Sequence, residues 1–146
     1  MKVHIKTFTE LTKDELYAIL ALRCEVFVLE QECAYQDVDY KDQEAIHLLG
    51  MKEGKIVAYT RMFKPGDYFE HTSIGRVVVR NEERQYGYGK EIMEATLAEI
   101  KKSFPKGPIE LSAQTYLKKF YTELGFVERG EEYLEDGIPH VRMVRE

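Results

Sequence analysis

The 146 residues predict a mixed α/β domain on a mostly antiparallel sheet, with a single strand–helix–strand crossover. Three observations carry this expectation. Strand-like and helix-like apolar periods alternate in the order β-α-β-β-β-α-β-α-β-β. Short turns at residues 52–55 and 136–137 join strands that are neighbours in sequence, whereas only the two strands flanking the second amphipathic helix need a crossover. The length suits one domain, residues 1–146, with enough buried surface for an ordinary core.

Residues 3–7 alternate and predict a short strand. Thr12 and Glu15 then form a capping-box pair, with Leu11 and Leu16 placed as a hydrophobic staple. The helix that follows puts Leu16, Ile19, Leu20, Arg23 and Phe27 on one face, apolar except at Arg23. Residues 30–44 show no clean period and predict a loop with at most a short helical turn. Residues 47–51 and 56–64 read as a hairpin, and the β-branched run 73–80 as a central strand. A turn over 81–86 leads into a helix over 87–104, stopped by Pro105, Gly107 and Pro108. A buried strand at 109–113 precedes a helix marked by Leu117, Phe120, Tyr121 and Leu124, which Gly125 ends. Two strands flank Asp136-Gly137, the second over 140–144.

Hydrophobic residues make up 44% and charged residues 32%, a globular balance that excludes a disordered tail protein. A net charge of −5 leaves no basic footprint for nucleic acid at the level of the whole chain. No uncharged apolar run nears the roughly eighteen residues of a membrane span. The N-terminal residues lack an apolar signal core, so a cytoplasmic protein without nucleic-acid or membrane partners is expected. Cys24 and Cys33 have neither CxxC nor zinc spacing and read as free thiols, one of them buried; no metal site is expected.

The sharpest local signal is Arg84-Gln85-Tyr86-Gly87-Tyr88-Gly89, set between a buried strand and an amphipathic helix. Gly87 and Gly89 remove Cβ atoms where a backbone comes close to something. The unpaired first amides of a helix, with its dipole, form an anion site, and Arg84 and Lys90 add full charges. The Gly-Lys-Ser/Thr ending of a Walker loop is missing, and so is the third glycine of a dinucleotide fingerprint. A second signal is Phe120-Tyr121-Thr122-Glu123-Leu124-Gly125-Phe126.

Together these resemble the R-x-x-G-x-G and F-Y-x-x-x-G-F signatures of the GNAT N-acetyltransferases, in the right order and at about the right separation. The chain is also similar to the ElaA-type branch of that superfamily. Leu22-Arg23-Cys24, Val26-Phe27-Val28, Glu30-Gln31, Tyr35-Gln36-Asp37, Ile74-Gly75-Arg76-Val77, Ala113-Gln114 and Glu135-Asp136-Gly137-Ile138-Pro139-His140 carry that similarity. Ala34 stands where the branch usually has Pro, and Gln114 where many GNAT enzymes place Asn.

The resemblance implies the GNAT fold: a mixed, mostly antiparallel sheet of six to seven strands flanked by about four helices. It implies acetyl transfer from acetyl-CoA to an amine in a ternary complex, with no acyl-enzyme. Backbone groups of Val77 and Val79 would pair with the pantetheine amides. Amides of Gln85, Tyr86, Gly87, Tyr88, Gly89 and Lys90 would hold the pyrophosphate, and Gln114 would keep a cofactor hydrogen bond. Tyr121 would protonate the leaving sulfur, although it also reads as a core residue four after Leu117. Candidates for the base are Glu30, Asp39 and His47, acting through water. Each has a plain structural alternative: Glu30 paired with Arg23, Asp39 solvated, His47 a satisfied strand histidine. His140 reads equally well as a structural hydrogen-bonding residue.

Arg23, Phe27 and Asp39 are expected to face the acceptor. The acceptor is a small-molecule or peptide amine, and the resemblance leaves a homodimer open. Arg23, Phe27, Asp39 and Asp42 also resemble, more faintly, the acyl-homoserine lactone synthases, and a CoA-binding regulatory module without turnover is a further reading. Residues 30–44 hold Glu30, Glu32, Asp37, Asp39, Asp42 and Glu44 against Lys41 alone. This acidic segment predicts a cationic acceptor, opposite a locally basic cofactor loop.

Overall fold

The computed structural model describes residues 1–146. Seven strands form one sheet: β1 (Lys2–Thr7), β2 (Ile46–Lys52), β3 (Lys55–Phe63), β4 (Thr72–Val79), β5 (Ile109–Gln114), β6 (Val127–Glu135) and β7 (Ile138–Arg145). Their spatial order is β1-β2-β3-β4-β5-β7-β6. Every neighbouring pair is antiparallel except β4 and β5, which the crossover helix connects. The α-helices are α1 (Lys13–Arg23), α2 (Tyr88–Ser103) and α3 (Lys118–Glu123), and a π-helical stretch, Cys24–Glu30, extends α1. The expected element order and the GNAT fold are thus present.

Helix α1 begins where the capping box predicts. The Glu15 amide donates to Thr12 Oγ1 at 3.0 Å, and the Thr12 amide donates to the Glu15 carboxylate at 2.9 Å. Its far end departs from the simple helical pattern. Gln31 N–H donates to Val26 O at 3.1 Å and Cys33 N–H to Val28 O at 3.0 Å, a spacing of five residues. This wider turn rotates the buried stripe. Ile19, Leu22, Arg23 and Val26 are buried, while Leu16, Leu20 and Phe27 are only partly covered. Residues 30–44 form a loop ending in one 3-10 turn, Asp42–Glu44.

Each face of the sheet carries its own core. Leu48, Met62, Ile92, Met93, Leu111, Tyr121, Phe126 and Met143 pack on the face covered by α2 and α3. Ile19, Leu22, Val26, Leu49, Ile56, Tyr59 and Val78 pack on the α1 face.

Two irregularities position everything that follows. The β4–β5 ladder contains only the pairs Thr72–Ile109 and Ser73–Glu110, after which the strands diverge. On its other side β4 carries a bulge, where the register against β3 slips between Gly75 and Val78. Arg76, inside that bulge, has φ of +51°, a left-handed conformation rarely adopted by a non-glycine residue.

The bulge is held by charge. Arg76 Nε lies 2.8 Å from Asp37 Oδ1, and its Nη2 donates to the Asp37 carbonyl at 2.9 Å. Asp37 also receives Nε of the fully buried Arg23 at 2.7 Å and the Tyr35 hydroxyl at 2.9 Å. Asp42 bridges Arg23 at 2.7 Å and Arg61 at 2.8 Å, and Arg61 continues to Asp39. Three aspartates therefore balance three arginines. This corrects the expectation that the acidic segment offers free negative charge to an acceptor: Asp37, Asp39 and Asp42 are spent inside the fold. It also replaces the alternative of a solvated Asp39.

Burial alone would raise the Asp39 carboxyl, but hydrogen bonding and charge from Arg61 bring it down to about 2. Burial likewise opposes ionisation of Asp42, and the two guanidiniums on it outweigh that. Both carboxyls are thus lowered by folding. They contribute stability above the unfolded value of about 3.9 and lose it as pH falls through the folded values. Thermal stability is predicted to drop between about pH 4 and pH 2, with a shallower acid slope in Asp39→Asn. Asp42→Asn, which leaves the buried Arg23 and Arg61 with one aspartate each in place of two, is predicted to lower the unfolding free energy by about 3 kcal/mol, measured by urea denaturation.

Candidate active site

Where β4 and β5 part, a cleft of about 520 Å³ opens between them, within the size range of small-molecule sites. Its walls are Ile74–Val79 of β4 and Leu111, Ser112 and Gln114 of β5. Because the ladder has ended, the backbone polar groups on the facing edges have no strand partner across the gap. Side chains reach it from both faces of the sheet: Phe27 and Tyr35 from the α1 side, Leu117, Phe120 and Tyr121 from the α3 side.

One end of the cleft is the start of α2. Gly87 caps this helix with φ of +73°, so glycine is needed there for backbone reasons. Gly89 is different. A Cβ at Gly89 would meet only ordinary contacts, Phe120 at 3.5 Å and Val79 at 3.7 Å, so packing within the chain does not demand glycine. Arg84 Nε donates to Val79 O at 3.1 Å. Its two terminal nitrogens grip the Glu30 carboxylate at 2.6 and 3.0 Å. That replaces the alternative pairing of Glu30 with Arg23. Lys90, 72% exposed, rests 3.8 Å from Glu94. Gln85, Tyr86 and Tyr88 do not line the cleft: the two tyrosine rings lie 5.5 Å apart, with Lys52 over both.

Farther along stands Tyr121, on α3, 5% exposed and lining the cleft. Burial pushes its phenol above the usual range, so it is neutral at physiological pH. The T-shaped contacts with Phe120 and Phe126 fix its ring. Gln114 also lines the cleft, where its side-chain amide exchanges hydrogen bonds with Gln31 at 3.2 and 3.3 Å.

The opposite end is built by residues that, His140 apart, carry no role in the sequence. Tyr35, Ser112, Glu135, Asp136 and His140 meet there, and the buried Cys33 thiol donates to Asp136 O at 3.2 Å. Ser112 bonds to the Tyr133 hydroxyl. The Glu135–His140 stretch was visible as a motif, but its convergence depends on the β6–β7 hairpin folding back beside β5. Three further expected site residues, beyond Gln85, Tyr86 and Tyr88, are not brought to the cleft. Arg23 is fully buried in the ion cluster, and Asp39 is held by Arg61. His47 is also fully buried. Its Nε2 donates to Asp42 O at 2.9 Å, so Nδ1 accepts from Tyr59 Oη at 2.5 Å. Burial lowers its basicity, leaving it neutral inside the fold.

A two-ended cleft between splayed strands, starting at a glycine-capped helix, is matched by known proteins. The sequence profile of the acetyltransferase (GNAT) domain covers residues 9–146, and the chain belongs to that family. Within it the chain is ElaA-like. It is 44% identical to the protein ElaA of Escherichia coli K12 over 140 residues, covering 94% of this chain and 92% of the relative. The crystal structure of Escherichia coli ElaA superposes with a TM-score of 0.93 over 99% of both chains at 41% identity. An acyl-CoA N-acyltransferase from Pseudomonas aeruginosa gives 0.94 over the whole of both chains, at 40% identity. The CoA-dependent acyl-homoserine lactone synthase BjaI shares the fold, with a TM-score of 0.76 at 20% identity over 97% of this chain and 81% of that one.

The bidentate Glu30–Arg84 pair places an internal carboxylate on the guanidinium fork that an incoming phosphate would take. Glu30→Gln is therefore predicted to tighten binding of CoA several-fold in calorimetric titration. Unchanged or weaker binding would show that Glu30 does not compete for Arg84.

Proposed function

We propose that the protein transfers an acetyl group from acetyl-CoA directly to a primary amine of a small molecule or peptide, in a ternary complex. The observation that carries this reading is the cleft through the splayed sheet, with the glycine-capped start of α2 at one end and Glu135 and Asp136 at the other. The Pseudomonas relative, an acyl-CoA N-acyltransferase by name, supports a nitrogen acceptor. No helix of the chain is long and apolar enough to cross a membrane.

The residues present fit CoA. The backbone amides over 85–90, in the turn leading into α2 and its first residues, would hold the pyrophosphate with Arg84 and Lys90. Gly89 leaves its backbone open to close approach. The unpaired edge of β4 at Val77 and Val79 would take the pantetheine amides, as one more strand would. Gln114 would exchange its bond to Gln31 for one to the cofactor. Phe27 would flank the acceptor. Acetyl-CoA, consumed as substrate, supplies the thioester.

The chain's own contribution is mainly positioning: holding a thioester carbonyl and an amine in line supplies much of the rate. A backbone N–H on the free edge of β4 would polarise that carbonyl. Tyr121 acts as a neutral donor to the departing sulfur. A thiol with pKa near about 8.5 is a fair leaving group unaided, so this proton assists the step rather than governing it.

Tyr121→Phe is predicted to lower kcat by about 10²-fold while leaving the Kd of acetyl-CoA unchanged, and an unaltered kcat would remove the role. The reading as a whole is tested by following CoA thiol release across polyamines, amino sugars, aminoacyl compounds, peptide N-termini and lysine peptides. Release with an acetylated amine as co-product is expected. Acetyl-CoA binding without release from any class would point instead to a binding module.

A further inference from the structure

We propose that His140, seated against Glu135, takes the proton from the acceptor's ammonium group. This rests on the acetyl-transfer reading above and adds the proton acceptor that reading lacks.

The tautomer of His140 follows from its partners. Its Nδ1 lies 2.7 Å from Ile138 O, and a carbonyl only accepts, so Nδ1 carries the hydrogen. In the neutral ring Nε2 is then a lone pair, and Glu135 Oε2 lies 3.3 Å from it. A lone pair against a carboxylate is unfavourable. Uptake of one proton at Nε2 turns the same contact into a charge-assisted hydrogen bond.

Its surroundings hold it in place. The Tyr133 ring stacks on the imidazole at 6.2 Å between centroids, and Ser112 Oγ donates to the other oxygen of Glu135 at 3.4 Å. The remaining charged or titratable groups around it are Asp136 at the hairpin, Cys33 and Tyr35 of the loop across the cleft, and Arg76 of β4, whose charge is met by Asp37. Gln114, its partner on β5, does not titrate. Arg142, next on the same face of β7, is committed to Glu110. Glu135 and Asp136 thus remain as the negative charges beside the ring, which suits an incoming cation. The acidic segment suggested a cationic acceptor from the wrong residues; this hairpin is where that charge stands.

The proton balance is as follows. The ammonium passes one proton to His140 Nε2, leaving imidazolium on Glu135. The freed lone pair forms the N–C bond while the C–S bond breaks, its electrons leaving on sulfur. The nitrogen sheds its second proton to water, and sulfur takes the Tyr121 hydroxyl proton, which water restores, giving amide and CoA thiol with one proton released overall. The imidazolium returns its proton to water.

The test is the pH dependence of kcat/KM for wild type, His140→Asn and Glu135→Gln, with the best amine from the CoA-release screen. Asn at 140 keeps a donor for Ile138 O but has no basic nitrogen. Thermal unfolding and the Kd of acetyl-CoA check that each variant is folded. The expected result is an acidic limb in wild type that is replaced in His140→Asn by one at higher pH, set by deprotonation of the amine itself. The rate of that variant at neutral pH falls by about 10²-fold or more and recovers at high pH, where the amine deprotonates unaided. In Glu135→Gln the limb moves to lower pH, because the charge favouring imidazolium is gone. A folded His140→Asn with the wild-type profile overturns the proposal and leaves the acetyl-transfer reading intact. Absence of turnover by wild type with every amine overturns the reading itself. A separate readout is nitrogen NMR of the imidazole, where an Nε2-protonated neutral ring would contradict the assignment whatever the activity.

Discussion

After two residue pairs, β4 and β5 stop bonding to one another, and the rest of the molecule follows from that break. A parallel pair in the middle of a sheet normally satisfies its backbone along its full length. Here the facing edges beyond Ser73 and Glu110 are left as donors and acceptors lining a slot. The slot passes between two cores, so side chains from opposite faces of the sheet meet across it. One interruption thereby creates both an unpaired strand edge and a passage through the sheet.

What keeps the strands apart is distributed over the chain. The bulge at Arg76 redirects β4, and a backbone at φ of +51° persists only if its surroundings enforce it. Asp37 does so from the loop, and Arg23 anchors Asp37 from α1. Arg61 and Asp42 tie the same cluster into β3. Fully paired, such a cluster adds little net stability over an apolar core of equal volume; losing one member is the damaging event. Its role is best understood as geometric: it fixes the loop, the first helix and the bulge relative to one another beside the cleft.

The legible and illegible parts of the sequence divide along physical lines. Alternation and helical periods identified the elements in order, because they report one-sided burial. The α2 start and the Phe120-Tyr121 pair were readable because each is local. The ion cluster was not, because its charges come from α1, the loop, β3 and β4, and a run of aspartates looks solvated until its arginines arrive. His47 looked like a base for the same reason: its neutralising partners, Tyr59 and Asp42, lie on other segments. His140 was legible as a candidate but not as a pair. Its partner Glu135 is close in sequence, but only the hairpin turns them toward each other and toward Ser112. The π-helical turn at Cys24–Glu30 escaped because it obeys no simple period, and it carries Glu30 to Arg84.

The central claim is that the unpaired edge of β4 and the start of α2 together hold CoA. Hydrogen exchange of the full chain, with and without saturating acetyl-CoA, tests it most directly. Slowed exchange is expected only at backbone amides within residues 75–79 and 85–90, with little change in β1, β2 or β6. Protection elsewhere, with those two segments exchanging as in the free protein, would contradict it.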